Sequence, residues 1–204
     1  MSKPKILVII AQAVTFFALF ACTHAPKLVS PRVREPAIFV AHTTDKPMQS
    51  YLAMNLPYKP YKDLLEQIQT TEDITLKNRG EAHITVVTPI EFDQVLKRRL
   101  SIDLIHNMAA EFSLQQTPYE TLCVGTGSKE IDGKTEKAYF VVVDSPGLVE
   151  LRRLIQKAFV KAGGSAADFV PENFHSHVTL GYSLRDLHFE DGVIKNKASC
   201  KYPF

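Results

Sequence analysis

Two copies of one short pattern carry the chemistry legible in this 204-residue chain: His83-Ile84-Thr85-Val86 and His177-Val178-Thr179-Leu180. Residues i and i+2 of a β-strand share a face, so on a strand each copy projects an imidazole and a hydroxyl in the same direction. Two such strands side by side would gather two imidazoles and two hydroxyls around one small anion. That grouping suits phosphodiester hydrolysis. A neutral imidazole can deprotonate the attacking water while a second, protonated, gives its proton to the leaving oxygen, and histidine is the side chain suited to both tasks near neutral pH. The hydroxyls of Thr85 and Thr179 would donate hydrogen bonds to the non-bridging phosphate oxygens, where negative charge builds up in the transition state. The sequence does not decide which histidine is the acid and which the base.

The elements around the two motifs repeat in order. Gln49 to Leu56 alternates as a strand, and Tyr58 to Thr70 places Tyr61, Leu64, Leu65 and Ile68 on one helical face. Glu81 to Thr88 is a strand rich in β-branched residues and stopped by Pro89, with His83, Thr85 and Val87 on one side and Ala82, Ile84 and Val86 on the other. Glu91 to Phe112 is helical by pattern, divisible around Ser101, with Val95, Leu96, Leu100, Ile102, Ile105, Met108 and Phe112 as its buried stripe.

Tyr119 to Thr126 and Ala138 to Val143 are strands joined by a polar loop containing Asp132-Gly133, the composition of a hairpin. Asp144 or Ser145 can cap a helix with Pro146 at its first position, an apolar face from Leu148 to Phe159, and Gly163-Gly164 at its end. Phe174 to Tyr182 is the last strand, with His175, His177 and Thr179 on one side. A His-x-Thr strand thus closes each of two comparable units. One such pattern alone is most simply a structural histidine; two at matching places are hard to ascribe to packing.

Other residues near the motifs are secondary candidates. His175 shares a predicted face with His177 and either lines the pocket or sits at its rim. Tyr51 and Tyr182 are candidates to stack a nucleobase, with core or sheet surface as the plainer reading. Lys77 and Arg79 precede the first motif strand and read as exposed loop charges that are able to attract a phosphate. A zinc site built from His83, His175 and His177 is the metal alternative. It gives no reason for the repeated threonine, and neither a His-Glu-x-x-His motif nor paired metal-ligating cysteines appear. No metal and no cofactor are expected.

The N-terminus belongs to targeting. Lys3 and Lys5 precede a run from Ile6 to Ala21 broken only by Gln12 and Thr15, the n-region and h-region of an export signal. Leu19-Phe20-Ala21-Cys22 resembles the lipobox of bacterial lipoproteins, which implies lipidation of Cys22 after cleavage. Phe20 is bulkier than that motif usually carries, so an ordinary signal peptide or an uncleaved anchor remain alternatives. Residues 1–22 are assigned to this signal, 23–36 to a Pro- and Lys/Arg-containing linker, and 37–204 to the folded domain.

The whole chain has 24 Lys+Arg against 22 Asp+Glu, and loss of Lys3 and Lys5 with the signal leaves the domain formally neutral. A protein that grips long nucleic acid usually presents a basic face, so a small substrate is expected. Lys97-Arg98-Arg99, the one dense basic cluster, reads as a solvated face. Cys123 and Cys200 would remain in an oxidising compartment, either as a disulfide or as two separately buried thiols.

The doubled motif resembles that of the two-histidine phosphoesterase superfamily, whose signature is a repeated His-x-[Ser/Thr] flanked by apolar residues. Phe174-His175-Ser176-His177-Val178-Thr179-Leu180-Gly181 is especially similar to the corresponding strand of 2′,3′-cyclic nucleotide phosphodiesterases and their RNA-repair relatives. The resemblance covers residues from about 37 to 204. It implies an α+β bilobal fold, with two antiparallel sheets and flanking helices about a pseudo-twofold cleft. It further implies metal-independent hydrolysis of a 2′,3′-cyclic nucleotide or similar small cyclic phosphodiester. Only His83, Thr85, His177 and Thr179 are carried over from it.

An export signal argues against an RNA substrate and for nucleotides outside the cytoplasm. The expected protein is a monomeric lipoprotein of the bacterial cell envelope, on the outer membrane and facing the periplasm, with a secreted or periplasmic form as the alternative. The competing functional class is a catalytically idle lipoprotein of the same fold that binds a nucleotide or a protein.

Overall fold

The computed structural model describes residues 28–32 and 36–204. The export signal and Cys22 therefore lie outside the described residues. Among those described, no helix is long and apolar enough to cross a membrane.

The first unit is an antiparallel pair, β1 (Leu52–Leu56) and β2 (Ala82–Val87), connected by helix α1 (Tyr58–Glu72). After β2 come α2 (Pro89–Gln94) and α3 (Ile102–Glu111), with a 3₁₀ turn at Leu96–Arg98 between them. The helical stretch expected over Glu91 to Phe112 is thus in two pieces, the second beginning after Ser101 as its pattern allowed. Thr88 and Glu91 cap α2 reciprocally, and Ser101 caps α3 by accepting from the N–H of Leu104.

The second unit is a four-stranded sheet in the order β5-β4-β3-β6. Its long hairpin, β3 (Glu120–Ile131) and β4 (Lys134–Asp144), turns at Asp132 and Gly133, both with positive φ, the backbone a tight hairpin requires. Both strands run further toward this turn than their apolar residues indicate, because backbone pairing continues through the polar tips. Helix α4 (Pro146–Lys161) follows β4, and then β5 (His177–Tyr182) pairs with β4. β5 starts later than expected: Phe174 to Ser176 approach the strand without belonging to it. A short strand absent from the sequence reading, β6 (Cys200–Pro203), lies on the outer edge of β3. The two antiparallel sheets with flanking helices are the expected α+β architecture, although the two halves differ in size.

A continuous core joins the halves. Leu52, Ile84 and Val86 from the small sheet pack into one cluster with Leu64 and Ile68 of α1, Ile105 of α3, Leu151 and Ile155 of α4, and Val141, Val178 and Leu180 of the large sheet. β4 is buried on both faces, which explains its nearly unbroken apolar run: Tyr139, Val141 and Val143 meet this core, while Ala138, Phe140 and Val142 face a smaller one. The smaller core is closed by Leu187 and Val193 from the segment that follows β5. A disulfide between Cys123 and Cys200, with Cα atoms 5.7 Å apart, fastens β6 to β3 beside it. The cysteines therefore take the bridged alternative. Within the described part of the expected linker, Leu28 is buried in the main core and Ser30 bonds Thr121, so residues 28–32 lie against the domain.

Candidate active site

Both motif strands bury their apolar residues on one side and turn the histidine and threonine to the other. On β2, Ala82, Ile84 and Val86 are fully buried while His83 and Thr85 are half-buried. On β5, Val178 and Leu180 are buried while His177 and Thr179 are half-buried. β2 belongs to the small sheet and β5 is an edge of the large one. The two strands adjoin without backbone pairing, and His83, Thr85, His177 and Thr179 line a single cleft of about 430 Å³. The sequence alone could not show that meeting.

The secondary candidates divide. Tyr51, Tyr182 and His175 line the same cleft. Tyr51 stacks on His42 with ring centroids 4.1 Å apart and stands 5.8 Å from the ring of His83. His175 is exposed and precedes β5 rather than sharing its face; its backbone, not its ring, touches His177. Arg79 reaches the cleft as an exposed side chain, whereas Lys77 serves through its backbone, which pairs with Tyr182. Lys97, Arg98 and Arg99 are exposed and do not line the cleft, with Lys97 paired to Asp93. Among the described residues, no group of three or more His, Cys, Asp or Glu side chains is arranged to hold a metal ion.

The two histidines have different surroundings. Nδ1 of His177 lies 2.7 Å from the carbonyl oxygen of His175. A carbonyl only accepts, so Nδ1 carries the hydrogen and Nε2 is left as the ring's acceptor. Burial pushes the imidazole's pKa well below its usual value, and Lys195 pushes it further; the His175 carbonyl and Asp186 oppose. His83 has no hydrogen-bond partner at Nδ1 among the described residues. Its nearest carboxylate is Glu81, with Oε1 3.7 Å from Nδ1. Burial lowers its pKa also, but Glu81 opposes that most strongly, with smaller lowering effects from His42 and Arg79. The largest charge effect on His177 thus comes from a cation and that on His83 from an anion.

Residues after β5 complete the site, and sequence reading missed them. Thr179 Oγ1 donates to Asp186 Oδ2 at 3.0 Å, and Lys195 Nζ donates to Asp186 Oδ1 at 2.8 Å. Burial works against ionising Asp186, but Lys195 overrides it and holds the carboxyl below the usual range. Arg152 was also missed. It stands on the buried side of α4, donating to the carbonyls of Val86 and Pro171 and to both carboxylate oxygens of Glu91, with its guanidinium over the Phe169 and Phe174 rings. It thereby ties the end of β2 to the segment leading into β5. Pro89-Ile90-Glu91 after Thr88 is a capping-box signature that would have placed Glu91 at this junction.

Two edge strands, each offering an imidazole and a hydroxyl to one cleft, define a two-histidine phosphoesterase in architecture. Residues 50–188 match the family model described as Swiss Army Knife, 2H phosphoesterase domain, more than half of the chain, and the protein belongs to that family. No curated protein matches the chain significantly.

Proposed function

We propose that the cleft hydrolyses a small cyclic phosphodiester of the 2′,3′-cyclic nucleotide type without a metal, using His83 and His177 as acid and base. The observation that carries this reading is the shared cavity of His83, Thr85, His177 and Thr179. Its size suits a mononucleotide rather than a polymer, and Tyr51 with His42 offers a flat aromatic surface beside the phosphate position.

The unequal neighbours of the histidines support a division of labour. His177, with Nε2 open and a lysine nearby, is suited to remain neutral and take a proton from water. His83, beside the Glu81 carboxylate, is better suited to carry a proton to the leaving oxygen. Both imidazoles favour the neutral form in the empty cleft. A phosphodiester anion placed between them would raise the proton affinity of each, so substrate itself helps to load the acid.

The test is incubation of the purified protein with the four 2′,3′-cyclic mononucleotides in excess chelator. Turnover of at least one is expected. Binding of these nucleotides without any hydrolysis would replace this reading with that of a catalytically idle binding protein, and activity lost only with chelator would revive the zinc alternative.

The envelope setting is part of the same proposal: lipidation at Cys22 would hold a monomeric domain on the bacterial membrane, facing the periplasm. Support comes from the signal-like run before Cys22 and from the Cys123–Cys200 disulfide, a bond that persists in oxidising compartments. Cys22→Ala should release the protein from membranes; full retention with an intact N-terminus would indicate an uncleaved anchor.

A further inference from the structure

Lys195 is a charged side chain only 4% exposed, and Asp186 beside it is only 8% exposed. Taking such a pair out of water costs more than their attraction returns unless other contacts compensate, so its place at the wall of a reaction cleft calls for a physical reason. Lys195 lines the cavity that holds both histidines. Its ammonium has three donors, of which one is directed to Asp186, and it stands over the face of Phe140, 5.4 Å away. The hydroxyl of Thr179, the donor expected to meet the phosphate on this side, is engaged with the same Asp186 carboxylate. Lys195 also lies beyond residues 50–188, the span that the family model matches.

From this geometry we infer that Lys195 is the cation that receives the substrate's non-bridging phosphate oxygen, with Asp186 as the positioning residue that holds its ammonium against the cleft wall. The inference rests on the phosphodiester reading of the cleft and names the source of charge stabilisation in its second half. A preorganised ammonium that is itself shielded from water stabilises developing negative charge more than an exposed one would. It also supplies, when Thr179 remains bonded to Asp186, a donor that the threonine does not. No bond is made or broken at Lys195, and its proton stays in place.

The test uses the full protein, inorganic phosphate as probe, and two variants. Lys195→Met alone leaves Asp186 buried without its partner and is at risk of misfolding. The double variant Lys195→Met with Asp186→Asn removes both charges at nearly constant volume and is the one that keeps the question answerable. In whichever variant retains the wild-type circular dichroism, the affinity for phosphate should fall by about tenfold or more. With a cyclic nucleotide that the wild type turns over, kcat should fall by about 10²- to 10³-fold.

A purely structural pair predicts a lowered melting temperature with phosphate affinity unchanged, and that result overturns the inference. So does failure of the wild-type protein to bind phosphate. Phosphate binding that depends on Lys195 without turnover of any cyclic nucleotide would sink the proposed reaction while sustaining the role of the lysine.

Discussion

The carboxylate of Glu81 stands 3.7 Å from Nδ1 of His83, and the equivalent flank of His177 is occupied instead by the carbonyl oxygen of His175 at 2.7 Å. The two half-sites share a motif but not an electrostatic environment. A carboxylate favours the imidazolium of His83, and its removal should therefore make that proton harder to keep. For Glu81→Gln we expect kcat at pH 7 to fall on the order of tenfold, with the alkaline limb of the profile displaced to lower pH. A pH–rate series compares the limbs; coincident profiles would remove Glu81 from the mechanism.

His83→Ala and His177→Ala should each lower kcat by about 10²- to 10⁴-fold, the usual worth of a general acid or base. Neither ring belongs to the apolar cores, so far-ultraviolet circular dichroism should be unchanged. Near-wild-type turnover in either variant defeats the acid–base pair.

Because burial disfavours both imidazolium ions, the bell-shaped profile of kcat/KM should have its maximum on the acid side of neutrality. The profile of kcat, which reports the substrate complex, should peak at higher pH, since the bound anion raises the proton affinity of both rings. Initial rates from pH 4 to pH 9, a range of about five units around the usual histidine value, measure both. A shift in the opposite direction contradicts the neutral starting state.

Stability should follow the same groups. A histidine whose folded pKa lies below the usual 6.5 binds its proton first in the unfolded chain, so folding stability is full above that pH. It is lost as pH falls from there toward the folded value. Thermal melts should therefore show a falling Tm below neutrality, with a smaller drop in His177→Ala. An identical pH dependence in that variant would mean that His177 is not held neutral.

Arg152 is 1% exposed and bonds the carbonyls of Val86 and Pro171 as well as Glu91. Arg152→Met should cost about 3–5 kcal/mol by stranding those partners, lowering Tm by roughly 6–20 °C for a domain of this size. Activity should be lost too, as the end of β2 and the approach to β5 separate. Calorimetry on the purified variant checks the first effect; an unchanged Tm would show that the buried guanidinium holds nothing.

Much of the local structure follows from the residues in order. A strand has period two, so the alternation of His83 and Thr85 with Ala82, Ile84 and Val86 assigns each side chain to a face before any tertiary contact exists. Proline at position 146, the apolar period behind it and the glycines at 163 and 164 likewise fix α4 through rules that act within a few residues. Capping by Thr88 is equally local, and a helix begun at Glu91 overlooks it because Glu91 is the third helical residue, the partner of the cap.

What tertiary structure decided is the set of contacts between distant positions. Arg152, Asp186 and Lys195 are charged residues that in sequence look like any solvated surface group, and their burial depends on partners from other elements. The bonding of Cys123 to Cys200 required the chain to return β6 to the edge of β3. The pairing of the two motifs in one cleft is of the same kind: the period of a strand orients an imidazole relative to its own backbone, but only the packing of α1, α3 and α4 beneath both sheets brings the edge of β2 against the edge of β5.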